Sequence, residues 1–276
     1  MTVHEVTGGG GVKLHVREFG QPDGPEIVLI HGWSQHHMCW FKQTDSSLAE
    51  TFRIIALDLR SHGMSDAPRG KEHYTDGDLW ADDVHAVLTH LNLKAPVLSG
   101  WSYGGLVMAD YVRKYGDSAL GGLNFVGAAI VIGKPWFGTH IGAGFLDHAP
   151  PACSEDQPTA MRAIRAFVHT CVEKSLPDDE IELAVAWNML VRPDVRLGLI
   201  SREQDCLPIL KTVGKPVLVT HGRADRVLLP RMSEDALAAM PHAEASWYDG
   251  VGHTPFLENA ERFNRELAAF AETVSR

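Results

Sequence analysis

Residues 26–30, 52–57 and 96–99 are short aliphatic runs with almost no polar interruption. A strand of that kind has no face it can turn to water, so it must lie in a sheet covered on both sides. Between and after these runs the periodicity changes. Over 76–93, Leu79, Val84, Val87, Leu88 and Leu91 fall near helical spacing, and Asp76 or Asp78 can cap the start. Residues 102–115 are also helical in character, with Leu106, Val107, Ala109, Tyr111 and Val112 giving apolar faces. A further apolar run covers 123–132, and 12–19 alternates well enough for an early strand. Strand, helix, strand, helix, strand is the order of a parallel sheet between helical layers, so an α/β architecture is expected.

The alternation breaks from about 133 to 210, a stretch that holds polar helix-like segments, the pair Pro150-Pro151 and several aromatics. Regularity returns with an apolar run at 216–220, a helix over 231–239, a short strand at 245–248 and a last helix over 259–274. No flexible linker flanks the irregular stretch. Residues 134–210 therefore read as a helical cap inserted into a core made of 1–133 and 211–276.

The formal net charge of -10 argues against a nucleic-acid partner, which needs basic patches. The four cysteines form no CxxC pair and no compact ligand spacing, as expected of free thiols in a reducing compartment. The first residues show no basic segment followed by an apolar one, and no run approaches a membrane span, so a cytoplasmic protein without a membrane partner is expected. Oligomeric state stays open, a homo-oligomer included.

Gly100-Trp101-Ser102-Tyr103-Gly104 is a G-x-S-x-G pattern between a buried strand and a helix. Glycines two residues either side of a serine let the backbone turn sharply and hold the hydroxyl clear of its neighbours. A serine needs a base to remove its proton during attack. Where a serine at such a turn is activated, the acid and then the histidine follow it along the chain. Asp225 follows the run at 216–220, and His253 follows the strand ending at Tyr248, flanked by glycine. Asp225 would accept from the His253 ring and fix its tautomer. Asp249 lies too near His253 in sequence to reach the far ring nitrogen, and 126–128 offers no carboxylate.

Developing oxyanion charge needs two preorganised N–H donors. The N–H of Tyr103, at a helix start, is one candidate, and that of Trp33 in the loop His31-Gly32-Trp33 is the other. The polar segment 58–65 is read as a structural loop in which Asp58 and Arg60 bond local backbone. His31, His36, His37 and His62 lack helical or H-x-H ligand spacing, so no metal is expected.

Taken together, HGW at 31–33, DLRSHGMSD at 58–66, GWSYGG at 100–105, HGRADRV at 221–227 and GVGHTPFLENAERF at 250–263 make the chain resemble the α/β-hydrolase superfamily over essentially its whole length. It is most similar to the branch with non-haem haloperoxidase-like esterases, N-acyl-homoserine lactonases and C–C hydrolases. Ser61 departs from the glycine usual at its place. The resemblance implies a mostly parallel eight-stranded sheet flanked by helices, with the cap after the sixth strand. It also implies cofactor-free hydrolysis of a small neutral ester or lactone through an acyl-enzyme on Ser102. C–C bond cleavage of a β-diketone-like substrate and slow-turnover ligand sensing are the alternatives. Trp136, Phe137 and Trp187 are candidate pocket walls for that small-molecule substrate, with Phe145, Met161, Phe167 and Met189 also in the segment.

Overall fold

A computed structural model describes residues 1–274. Its strands are β1 (Thr2–Thr7), β2 (Lys13–Gly20), β3 (Glu26–Ile30), β4 (Arg53–Leu57), β5 (Val97–Trp101), β6 (Gly122–Val126), β7 (Val217–Gly222) and β8 (Glu244–Tyr248). They form one sheet in the order β1-β2-β4-β3-β5-β6-β7-β8. β2 runs antiparallel to both its neighbours, and all other pairings are parallel. The apolar runs of the sequence are the central strands. Each residue of β5 and β6 is buried, because helices cover both faces.

The longer helices are α1 (Gly77–His90), α2 (Gly104–Tyr115), α3 (Gln157–Thr170), α4 (Asp178–Met189), α5 (Pro193–Ile200), α6 (Arg231–Ala239) and α7 (Ala260–Val274). Asp76 caps α1 by accepting from the Asp78 N–H at 2.9 Å. α1 packs along α2. A buried ion pair fixes α1 to the loop after β4: Arg60 donates from Nε and from a terminal nitrogen to the two Asp83 oxygens, both at 2.7 Å, and also to the Gly9 and Leu79 carbonyls. Arg60 therefore does more than bond local backbone.

Two features depart from the sequence expectation. β1 is a six-residue edge strand of which only Val6 is buried, with Val3 51 % exposed, so it carries no hydrophobic alternation to read. The apolar run over 123–132 is not one strand. It breaks at Gly127, whose φ of +44° turns the chain, and Val131–Ile132 then pairs antiparallel with Gln204–Asp205. This two-residue ribbon closes off the stretch that carries α3, α4 and α5 between β6 and β7. α3 turns Ala160, Ala163, Ile164, Phe167 and Val168 inward at helical spacing, and Asp156 caps it through the Thr159 N–H at 3.0 Å. Among the described residues no helix is long and apolar enough to cross a membrane.

Candidate active site

The parallel strands end together at one edge of the sheet, where successive loops meet. Ser102 sits there, directly after β5 and before α2, with φ +54°. The left-handed region is uncommon for a residue with a side chain and persists only where surrounding contacts over-determine it. Here they do. The Ser102 N–H donates to the Val126 carbonyl at 3.1 Å, and its carbonyl accepts from Gly105 at 2.9 Å and Ala129 at 2.8 Å.

Asp225 lies in the loop after β7, buried to 3 % exposure, and His253 in the loop after β8, at 1 %. His253 Nδ1 and Asp225 Oδ2 are 2.7 Å apart. The second Asp225 oxygen accepts from the N–H groups of Val227 at 2.8 Å and Leu228 at 3.0 Å, and His221 Nε2 stands 3.3 Å from Oδ2. Burial alone would push the Asp225 carboxyl up, but the facing His253 and His221 rings hold it well below the usual carboxylate range. An ionised Asp225 only accepts, which assigns the His253 proton to Nδ1 and leaves the Nε2 lone pair open. That Nε2 is buried and has no hydrogen-bond partner among the described residues. The backbone of His253 is held on both sides. Its N–H donates to the Cys171 carbonyl at 2.8 Å, and its carbonyl accepts from the indole of Trp101, the neighbour of Ser102, at 2.9 Å. Asp249 is 91 % exposed and faces Arg223, away from this pair.

The loop after β3 closes on the serine. A carbon added at Gly32 would lie 2.9 Å from Ser102 Cβ and 3.4 Å from its Oγ. Among the described residues the Trp33 and Tyr103 N–H groups donate to no protein acceptor. Two neutral imidazoles brace this loop. His31 pairs with the Gly32 carbonyl at 2.8 Å and accepts from the Leu59 N–H at 3.0 Å. His62 pairs with the Arg60 carbonyl at 2.9 Å and accepts from the Ser34 N–H at 3.2 Å. Burial pushes both rings down, His31 well below its usual value and His62 to about 4. Ser34 itself has φ +59°.

The aromatic candidates separate. Trp33 meets Phe145 and Phe167 edge-on, each at 5.4 Å. Trp187 donates from its indole to Gln35 at 2.8 Å and, with Trp101, Cys171 and Val168, lines a small apolar cavity of about 30 Å³. Trp136 instead packs on His140, Phe137 is 46 % exposed and Met161 is 52 % exposed. Among the described residues Trp136 and Phe137 make no ring contact with Trp33, Phe145 or Phe167. The His140 ring that Trp136 meets edge-on is itself held by Asp235 of α6, with Nε2 2.9 Å from Oδ2.

Sequence reasoning gave no site role to Ser34 and Gln35 in the loop after β3, or to His62 and Arg196, which hold Ser34. No motif joins Ser34 to a residue 162 positions away, so no local signal was available. Among the described residues, ligand atoms of His15, His37 and Asp58 lie within 4.8 Å of one another. Asp58 there already accepts from the His37 N–H and ring and from Met64, and Arg17 donates to His15, while His37 Nε2 is buried without a partner among the described residues.

The sequence signature described as Alpha/beta hydrolase family matches residues 27–266. The crystal structure of esterase RhEst1 from Rhodococcus sp. ECU1013 superposes with a TM-score of 0.92 at 35% identity, covering 99% of this chain and 100% of that one. A pimeloyl-[acyl-carrier protein] methyl ester esterase from Vibrio parahaemolyticus is 28% identical over 277 residues, 94% of this chain and 98% of its own. A bifunctional esterase/perhydrolase from Acinetobacter calcoaceticus is 27% identical over 279 residues, 96% of this chain and 98% of its own.

Proposed function

The chain belongs to the alpha/beta hydrolase family, and we propose that it is a serine esterase in which Ser102 is the nucleophile, His253 the general base and Asp225 the orienting acid. The observation that carries this reading is the 2.7 Å contact of His253 Nδ1 with a buried carboxylate, which leaves Nε2 without a partner among the described residues, in a chain whose Ser102 is held at φ +54° where β5 turns into α2. In the proposed reaction, His253 Nε2 takes the hydroxyl proton as Ser102 Oγ bonds to the ester carbonyl carbon. The resulting oxyanion would receive the unpartnered N–H groups of Tyr103 and Trp33. The His253 proton then passes to the departing alkoxide, leaving an acyl-enzyme. Water, deprotonated by His253, releases the acid and restores Ser102.

Support for a small neutral ester or lactone as substrate comes from the apolar groups near the site, Trp33, Phe145, Phe167 and Trp187. Relatives named as esterases support the ester-cleaving part of this reading. Residues 134–210, which carry α3, α4 and α5, would act as the cap that bounds the acyl group.

The test is hydrolysis of p-nitrophenyl esters of increasing acyl length by wild type and Ser102→Ala. Turnover is expected to fall roughly 10³-fold or more in the variant, since loss of the nucleophile leaves only binding and oxyanion stabilisation. Equal rates in both proteins would defeat the reading.

A further inference from the structure

We propose that Arg196, at the heart of the helical segment between β6 and β7, is a positioning residue that fixes the loop supplying the Trp33 oxyanion donor. The inference rests on the serine-esterase reading and deepens it by tying that site to the segment above it.

The Arg196 guanidinium is 1 % exposed. Its Nε donates to Ser34 Oγ at 3.0 Å, one terminal nitrogen donates to the Ala152 carbonyl at 2.7 Å, and the other donates to the Asn188 carbonyl at 2.7 Å. Ser34 Oγ in turn donates to that same Asn188 carbonyl at 3.2 Å. One planar group thus ties Ala152 and Asn188 to Ser34, the residue that follows Trp33. The backbone of Arg196 takes part as well, because its carbonyl accepts from the Trp33 indole at 3.2 Å.

Two further observations make this more than packing. First, Ser34 stands at φ +59°, a conformation that needs external contacts to hold it. His62 holds its N–H from the sheet side, and Arg196 holds its hydroxyl from the helical side. The peptide carrying the Trp33 N–H lies immediately before this clamped residue. Secondly, among the described residues no carboxylate lies within 4.0 Å of Arg196, and all its acceptors are uncharged. A buried cation without a counterion is costly. Its field favours negative charge nearby, and the charge that develops during ester hydrolysis does so at this loop. A lysine could not replace it, since one ammonium cannot reach Ser34, Ala152 and Asn188 in the fork geometry of a guanidinium.

The experiment compares wild type, Arg196→Met, Arg196→Lys, Ser34→Ala and the Arg196→Met/Ser34→Ala double variant. It reads steady-state hydrolysis of a p-nitrophenyl ester and inhibition by an alkylboronic acid. The boronic acid takes Ser102 Oγ onto boron, the serine proton passes to His253, and the tetrahedral boronate mimics the oxyanion. Arg196→Met and Ser34→Ala should each lower kcat by roughly 10- to 100-fold with KM within about threefold, because a misplaced donor is felt in the transition state and not in ground-state binding. Boronate affinity should fall in step with kcat/KM. The double variant should be no worse than Arg196→Met, and Arg196→Lys should recover only part of the loss. If Arg196→Met fails to fold, Ser34→Ala still decides, since it removes only the hydroxyl. Unchanged kcat and boronate affinity in Ser34→Ala, or a loss confined to KM, would overturn the proposal. Turnover that survives Ser102→Ala defeats the serine reading itself, whereas Ser102-dependent turnover indifferent to Arg196 and Ser34 defeats only the positioning role.

Discussion

Asp225 illustrates how much of a site a single side chain can settle. One oxygen accepts from His253 Nδ1, and the other accepts from two backbone N–H groups, of Val227 and Leu228. An asparagine in its place must turn its single oxygen to one side. If the oxygen keeps the backbone pair, the NH₂ group faces His253 and forces the proton onto Nε2, where it blocks the base. If it faces His253, two donors confront the Val227 and Leu228 amides. Asp225→Asn is therefore expected to lower kcat by roughly 10³–10⁴-fold in ester assays while leaving KM nearly unchanged. A loss under tenfold would show that the tautomer is set elsewhere. Ser102, Asp225 and His253 were legible from sequence because each directly follows a strand whose burial pattern is visible. Ser34 and His62 were not. Their roles rest on one N–H reaching one ring nitrogen across 28 positions, a contact that leaves no periodic trace.

At the scale of elements, the turn from β5 into α2 is set by how closely α2 approaches β3. A methyl group on Gly104 would lie 2.7 Å from the Ile30 carbonyl oxygen and 3.2 Å from that of His31, both backbone atoms that cannot swing aside. Gly104→Ala must push α2 away from β3 and from the loop that follows it. The expected cost is about 1–3 kcal/mol in urea denaturation, the usual range for overpacking, with a simultaneous fall in kcat. Unaltered stability would mean that the helix start has slack. The same scale shows where element reading fails. Lys13–Gly20 and the buried central strands announced themselves by alternation or by unbroken apolar character, whereas β1 did not, since pairing with β2 supplies its backbone hydrogen bonds without burying one face. The apolar run over 123–132 misled for the opposite reason: residues 127–130 are buried, but a positive φ at Gly127 takes them out of the sheet.

For the whole molecule, buried histidines set the response to acid. Burial pushes His36 and His62 down to about 4 from 6.5, and His31 well below it, against the pull of Asp58. The unfolded chain therefore binds more protons than the folded one as pH drops below about 6.5, and stability declines with it. Each such histidine removes about 1.4 kcal/mol per pH unit until the folded protein also takes up the proton. Asp225 and Asp58, whose folded carboxyls are held low by facing histidines although burial opposes it, contribute stability above pH 3.8 that is lost on further acidification. Urea midpoints measured from pH 7 to 4.5 should fall throughout, and His62→Gln, which can still accept the Ser34 N–H, should flatten the slope. A flat wild-type profile would mean that these rings titrate alike in both states. The sequence alone determined the α/β order and the positions of Ser102, Asp225 and His253, because strand burial, helix spacing and strand-end loops are written in residues close together along the chain. Only the tertiary structure decided that β1 joins the sheet, that Trp33 packs edge-on against Phe145 and Phe167, and that Arg196 grips Ser34. β1 joins through backbone pairing with β2 that buries no side-chain face, whereas the other two depend on how the helices between β6 and β7 settle over the sheet, which is governed by single contacts between residues far apart in sequence.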